Sequence, residues 1–108
     1  MLTTAKVETQ VIEFKEDEMK DMTGIFKLLS DPSRVRILSL LRRRKSLSVG
    51  SIAKLLRMEI SLVSHHLSTL KIPGFVKPRK EGKQVFYSIE DDCIIDILQR
   101  ARDHVSGN

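Results

Sequence analysis

Apolar residues recur at helical spacing in six stretches of the chain and alternate with polar ones in two. From Lys6 to Lys20, Val7, Val11 and Phe14 stand among charged neighbours, which predicts an amphipathic helix. Asp21 or Thr23 starts a second helix carrying Met22, Ile25, Phe26, Leu28 and Leu29. Ser30-Asp31-Pro32-Ser33 breaks that pattern and restarts it. Asp31 suits an N-cap and Pro32 the first helical position, because proline lacks the N–H that would be orphaned there. The third helix runs to about Arg43, with Val35, Ile37, Leu38, Leu40 and Leu41 on its core side, and Lys45–Ser48 is a connector.

Val49 to about Arg57 forms the next helix, with Ile52, Ala53, Leu55 and Leu56 inward, and Met58-Glu59-Ile60 is a turn. In the helix Ser61–Leu70, Val63, Leu67 and Leu70 fall at i, i+4 and i+7 and face the core. Ser61, Ser64, His65 and Ser68 are left on the outward face. Pro73-Gly74 ends that helix. Phe75–Arg79 is a strand held to a sheet edge by Pro78, Lys80-Glu81-Gly82-Lys83 is the turn, and Gln84–Ser88 returns. The last helix, about Glu90 to Val105, carries a stripe of Ile94, Ile97, Leu98, Ala101 and Val105 that can close onto the body or onto a second copy. The fold class read from this order is mainly α with a small β-hairpin wing. It is a single winged helix-turn-helix domain over 1–108, with the helix-turn-helix and wing in 46–88.

Charge changes the picture from fold to partner. The net charge is +5, but residues 33–88 hold 13 Lys/Arg against 2 Asp/Glu, while 1–32 and 89–108 are each acidic by three. A basic excess confined to one module with a helix free to enter a groove points to phosphate neutralisation on double-stranded DNA. Arg79, Lys80 and Lys83 in the wing are placed to touch the phosphate backbone, with Arg42, Arg43 and Arg44 as further phosphate contacts. With no Trp and five other aromatics, single-strand binding by base stacking has little support. No apolar run is long enough to span a membrane, and no signal peptide is visible. The one cysteine, Cys93, cannot form an internal disulfide, so a cytoplasmic setting is expected.

The stretches LSDPSRVRILSLL (Leu29–Leu41), VSHHLSTL (Val63–Leu70) and GFVKPRKEGKQVFYSIEDD (Gly74–Asp92) together resemble the ArsR/SmtB family of metal-responsive bacterial repressors, over roughly Phe26 to His104. The resemblance implies a homodimer joined by its first and last helices, here 1–20 and 90–105. It also implies an inverted-repeat operator and release of DNA when metal binds. Where relatives commonly carry Ser-Gln-Ser-Thr at the start of the reading helix, this chain has Glu59-Ile60-Ser61-Leu62. One metal position of the family falls on Ser48 and Gly50, which supply no thiolate. The other falls on Asp91, Cys93, His104 and Gly107, of which the first three can ligate.

Cys93 and His104 are eleven residues apart, which puts them on one helix face but about 16 Å apart along the axis. They can share an ion only between two chains packed antiparallel, which gives two sites per dimer. Asp, Cys and His donors suit Zn²⁺ or Cd²⁺, with Asp103, Asn108 or water as the fourth ligand. Other readings of the same residues stand beside this one. Asp91 can be a helix cap, Cys93 a small hydrophobe or an oxidation-sensing thiol, and His104 a complement to the helix dipole. In this alternative the metal site is degenerate, and the winged-helix repressor answers to thiol oxidation at Cys93 or to no small ligand. His65 and His66, about 100° apart on a helix, chelate poorly; His65 faces DNA and His66 packs locally. Ser64 and His65 lack a third orienting residue, and nothing else suggests an enzyme.

Overall fold

The computed structural model describes residues 13–107. Within them the order is α1 (Glu16–Leu29), α2 (Pro32–Arg44), β1 (Ser46–Ser48), α3 (Val49–Leu56), α4 (Ile60–Lys71), β2 (Val76–Glu81), β3 (Gln84–Ile89) and α5 (Cys93–Ser106). Val7, Val11 and Asn108 lie outside the described residues.

Helix α1 moves the expected boundary between the first two helices, and the 6–12 part of the expected first helix lies outside the described residues. Helix α1 is continuous through Asp21–Thr23, and Phe14 lies ahead of it, outside any helix. Thr23 does not cap a new helix; its hydroxyl donates back to the Lys20 carbonyl at 3.0 Å, a bond made inside a helix. Glu16, Asp17 and Glu18 crowd the first turn, where the dipole favours negative charge, and Glu18 Oε1 accepts the Lys15 N–H at 3.0 Å. No residue of α1 is fully buried.

Helix α2 begins as expected, with the Asp31 carboxylate accepting the Ser33 N–H at 2.8 Å and Pro32 in the first turn. Its Ile37, Leu38 and Leu41 are fully enclosed with Ile52 of α3, Val63, Leu67 and Leu70 of α4, and Ile94 of α5. These aliphatic side chains fill the centre, and truncating any one of the leucines to alanine costs about 2–5 kcal/mol.

The expected connector Lys45–Ser48 is in part a strand. β1 pairs antiparallel with β3 through Ser46↔Ser88, Leu47↔Tyr87 and Ser48↔Phe86, so the sheet has three strands in the order β1-β3-β2. Pro78 lies in β2, one of the two edge strands, where its missing N–H breaks no interior ladder. The wing is longer than expected. β2 reaches Glu81, which pairs with Gln84, leaving only Gly82 and Lys83 as the turn; Gly82 takes φ 61.

Ser48 also caps α3, accepting the Ser51 N–H at 3.1 Å, and Arg57 closes α3 in the left-handed region at φ 55. Helix α4 ends in a Schellman closure. Gly74, at φ 84, donates to the Lys71 carbonyl at 2.9 Å, and Phe75 donates to that of Leu70 at 3.2 Å. Helix α5 starts at Cys93 rather than near Glu90. The Glu90 carboxylate pairs with Lys77 at 3.1 Å, and its N–H is spent on the Phe75 carbonyl at 2.8 Å. No described helix is long and apolar enough to cross a membrane.

Candidate nucleic-acid interface

Two elements present themselves side by side on the outside of this core. The first is α4. Val63, His66, Leu67 and Leu70 are its buried side, and Ser61, Ser64, His65 and Ser68 are all exposed. The polar face is therefore free for a partner, while the opposite face is fixed by packing. His66 holds that fixed face in place. It is 5% exposed, and its Nδ1 accepts a hydrogen bond from Arg34 Nε of α2 at 3.2 Å. Arg34 also donates to the Leu28 carbonyl of α1 at 3.1 Å, so one side chain joins three helices. Burial holds the His66 imidazole below its ordinary value; the Asp31 carboxylate pulls it back up, and Arg34 and His65 press it further down. Neutral His66 has the lone pair that this bond needs.

The start of α4 differs from its other end. Glu59 stands at the N-cap with no side-chain hydrogen bond to the helix. Ile60 is 61% exposed and Leu62 44%, so two apolar side chains flank Ser61 at the outward tip. Periodicity does not single out this pair, because it assigns apolar residues to the core. The signal was their failure to fall in register with Val63, Leu67 and Leu70.

The second element is the wing. Arg79, Lys80 and Lys83 are exposed, as placed from the sequence. Arg79 is not a free cation, however. Its guanidinium lies 5.2 Å from the centre of the Phe86 ring and forms an ion pair with Glu81. The register explains both contacts: Arg79 and Phe86 are directly opposed, and Glu81 is two residues along β2 on the same face. Arg42 and Arg43 are placed differently from the phosphate contacts expected. They lie with Val35 and Ser39 on the side of α2 that meets α5.

Ahead of α5, whose N-cap is Asp92, Asp91 Oδ1 accepts the Cys93 N–H at 2.9 Å. Its other oxygen has no partner among the described residues. The Cys93 thiol is free and exposed, and His104 is exposed. Gly107 takes φ 79 and closes the helix through its N–H to the His104 carbonyl, a role for which a side chain is a hindrance. Among the described residues, no three His, Cys, Asp or Glu side chains of one chain group around a point where a metal ion would fit.

A three-helix core that fixes one face of α4, exposes the other and sets a basic hairpin beside it defines a winged helix-turn-helix DNA-binding regulator. Residues 31–77 match the family model described as bacterial regulatory protein, arsR family. The chain is 37% identical over 98 residues to a cadmium resistance transcriptional regulatory protein CadC homolog of Staphylococcus aureus, covering 87% of this chain and 81% of that one. The same fold is seen in the AntR antimony-specific transcriptional repressor, with a TM-score of 0.79 at 24% identity over 90% of this chain and 87% of AntR. It is seen too in the homodimeric winged helix-turn-helix DNA-binding domain Mb0332 of Mycobacterium bovis, with a TM-score of 0.70 at 22% identity over 89% and 91%. The chain belongs to the arsR family of bacterial regulatory proteins. It is a DNA-binding transcriptional repressor of that type and not an enzyme.

Proposed function

We propose that two copies of this chain bind an inverted-repeat operator in the cytoplasm, and that Zn²⁺ or Cd²⁺ bound between the copies releases it. The observation that carries the operator reading is the exposed Ser61, Ser64, His65 and Ser68 face of α4 beside the exposed Lys80 and Lys83 of the wing. The helix face approaches base edges, and Arg79, Lys80 and Lys83 meet phosphates. A symmetric pair places two such helices on successive major grooves, so the operator repeats with inverted sense.

The input rests on α5. Asp91, Cys93 and His104 remain accessible, and their oxygen, thiolate and imidazole donors match the preferences of Zn²⁺ and Cd²⁺. Cys93 and His104 are too far apart on one helix to share an ion, so the site draws Asp91 and Cys93 from one protomer and His104 from its partner. A cadmium-resistance regulator among the relatives supports the same reading. When bound, the metal supplies cross-links between the two α5 helices. It releases DNA only to the extent that it binds the released dimer shape more tightly than the DNA-fitting one.

The test is operator binding titrated with Zn²⁺ and Cd²⁺, for the parent and for the double variant Cys93→Ser, His104→Gln. The expected result is loss of metal release with DNA binding intact. Full metal release in the double variant excludes this site. The exposure of Cys93 favours a second reading, in which thiol oxidation is the signal. Peroxide-driven release that persists with a chelator present supports it and counts against the metal.

A further inference from the structure

Between α2 and α5 lies an open groove of about 440 Å³, within the range of roughly 300–1,000 Å³ typical of small-molecule sites. Val35, Ile95 and Leu98 form its apolar floor, and Arg42, Arg43 and Arg102 stand around it. No residue of α4 or of the wing lines it, so these three cations are apart from the surface assigned to DNA.

Among the described residues the three guanidiniums have no anionic partner. Among the described residues the ion pairs are Lys77–Glu90 and Arg79–Glu81, both elsewhere. Asp103, next to Arg102 in sequence, accepts from Gln99 Nε2 at 3.0 Å instead. A smaller cavity of about 240 Å³ continues the groove past Arg42 and Ile95 to Lys45, and Asp92 is the single carboxylate on its lining. Three like charges held around one apolar floor repel each other until an anion enters, and a forked guanidinium matches a carboxylate with two parallel hydrogen bonds. An inorganic oxyanion would satisfy the charge but leave Val35, Ile95 and Leu98 uncovered. A neutral hydrocarbon would cover them and leave the charge.

We propose that this groove binds an apolar carboxylate, its hydrocarbon body on Val35, Ile95 and Leu98 and its head among Arg42, Arg43 and Arg102. The site shares no residue with Asp91, Cys93 and His104, and its test reads neither operator nor metal binding. Its failure and that of the proposed function are therefore separable.

Calorimetric titration of the full chain with octanoate, 1-octanol and sulfate tests it. Octanoate is expected to bind saturably, one per chain, and at least tenfold more tightly than octanol or sulfate. Arg42→Gln with Arg102→Gln is expected to weaken octanoate at least tenfold, and Arg42→Lys with Arg102→Lys to weaken it less. Both arginines are exposed, so thermal melts of these variants are expected to match the parent. Four results overturn the proposal. These are no saturable octanoate binding, unchanged binding in the glutamine variant, sulfate binding as tightly as octanoate, or conversion of the glutamine variant from dimer to monomer without octanoate binding in either protein. The last result assigns the arginines to acidic residues of a second copy.

Discussion

Arg34 Nε donates to His66 Nδ1 at 3.2 Å, and this bond joins α2 to the buried face of α4, the helix whose other face is exposed. It exists only while His66 is neutral. The folded state lowers the His66 pKa from its ordinary 6.5, chiefly through burial and in part through the Arg34 charge, with Asp31 opposing. The unfolded chain therefore takes up the proton first as pH falls. The stability from this group is whole above about pH 6.5 and is lost progressively below it, down through the folded-state value. Asp31, lowered by its bond from the Ser33 N–H, adds a second loss below its ordinary 3.8. Thermal melts between pH 8 and 5 are expected to show a falling Tm below pH 6.5. His66→Gln, which keeps an acceptor for Arg34, should flatten that fall; an unchanged slope would show that other groups cause it.

Glu81 is one of two acidic residues in the 33–88 segment, and it spends its charge on Arg79. Both partners are more than half exposed, so the pair adds little stability. Its effect falls on DNA. Glu81→Gln frees the Arg79 guanidinium, still seated over Phe86, for a phosphate. Operator affinity is expected to rise, and the slope of log K against log salt to steepen by up to about 0.9 for one added contact. Lys80→Ala and Lys83→Ala should each make it shallower by a similar amount. Binding curves at four salt concentrations decide it, and identical slopes for parent and Glu81→Gln would remove Arg79 from the phosphate contacts.

What was legible in the chain was local. The Asp31-Pro32 cap spans two residues, and Val63, Leu67 and Leu70 declare their helix face by period alone. The Pro73-Gly74 stop also needed only neighbouring residues. What was missed depends on distant partners. β1 is three residues long, and its pairing partner Tyr87 stands forty positions from Leu47. His66 finds Arg34 thirty-two residues away. The placement of Arg42 and Arg43 beside Ile95 and Leu98 of α5 also depends on residues more than fifty positions away, so the sequence alone offers them only as phosphate contacts. Thr23 misled for a different reason: a hydroxyl that caps in one setting bonds back to the preceding turn in another.

Glu59 and Ile60 open the reading helix in an unusual way. Glu59 makes no capping bond, and its charge sits where α4 would approach phosphates. Replacing it with serine supplies a short acceptor for the first-turn N–H groups, expected to add about 1 kcal/mol of stability. Removing the charge should also tighten DNA binding. Ile60, 61% exposed, offers the operator an apolar contact, which suits a thymine methyl. Ile60→Gln is expected to shift the preferred base at one position of each half-site from thymine towards adenine. Selection of bound sequences from a randomised half-site by parent and variant reads this out, and identical preferences would place Ile60 outside base contact.

Phe26 on α1 is 56% exposed and Val105 on α5 is 85% exposed, large apolar side chains that stay outside the core although their helices pack Ile25, Leu28 and Leu29, and Ile94, Ile95, Ile97 and Leu98, into or against it. No residue of α1 is buried, and of α5 only Ile94 is. Apolar surface left outside on both terminal helices is the kind of face a second copy covers. Phe26→Glu with Val105→Glu is expected to yield a monomer by sedimentation at concentrations where the parent is a dimer. Because neither side chain fills the core, the monomer should still melt cooperatively. Its operator affinity should fall steeply, since a single subunit grips one half-site and forfeits the contacts of the other. Full operator affinity in a proven monomer would mean that one winged subunit suffices. A dimer that survives both charges would move the interface to another face.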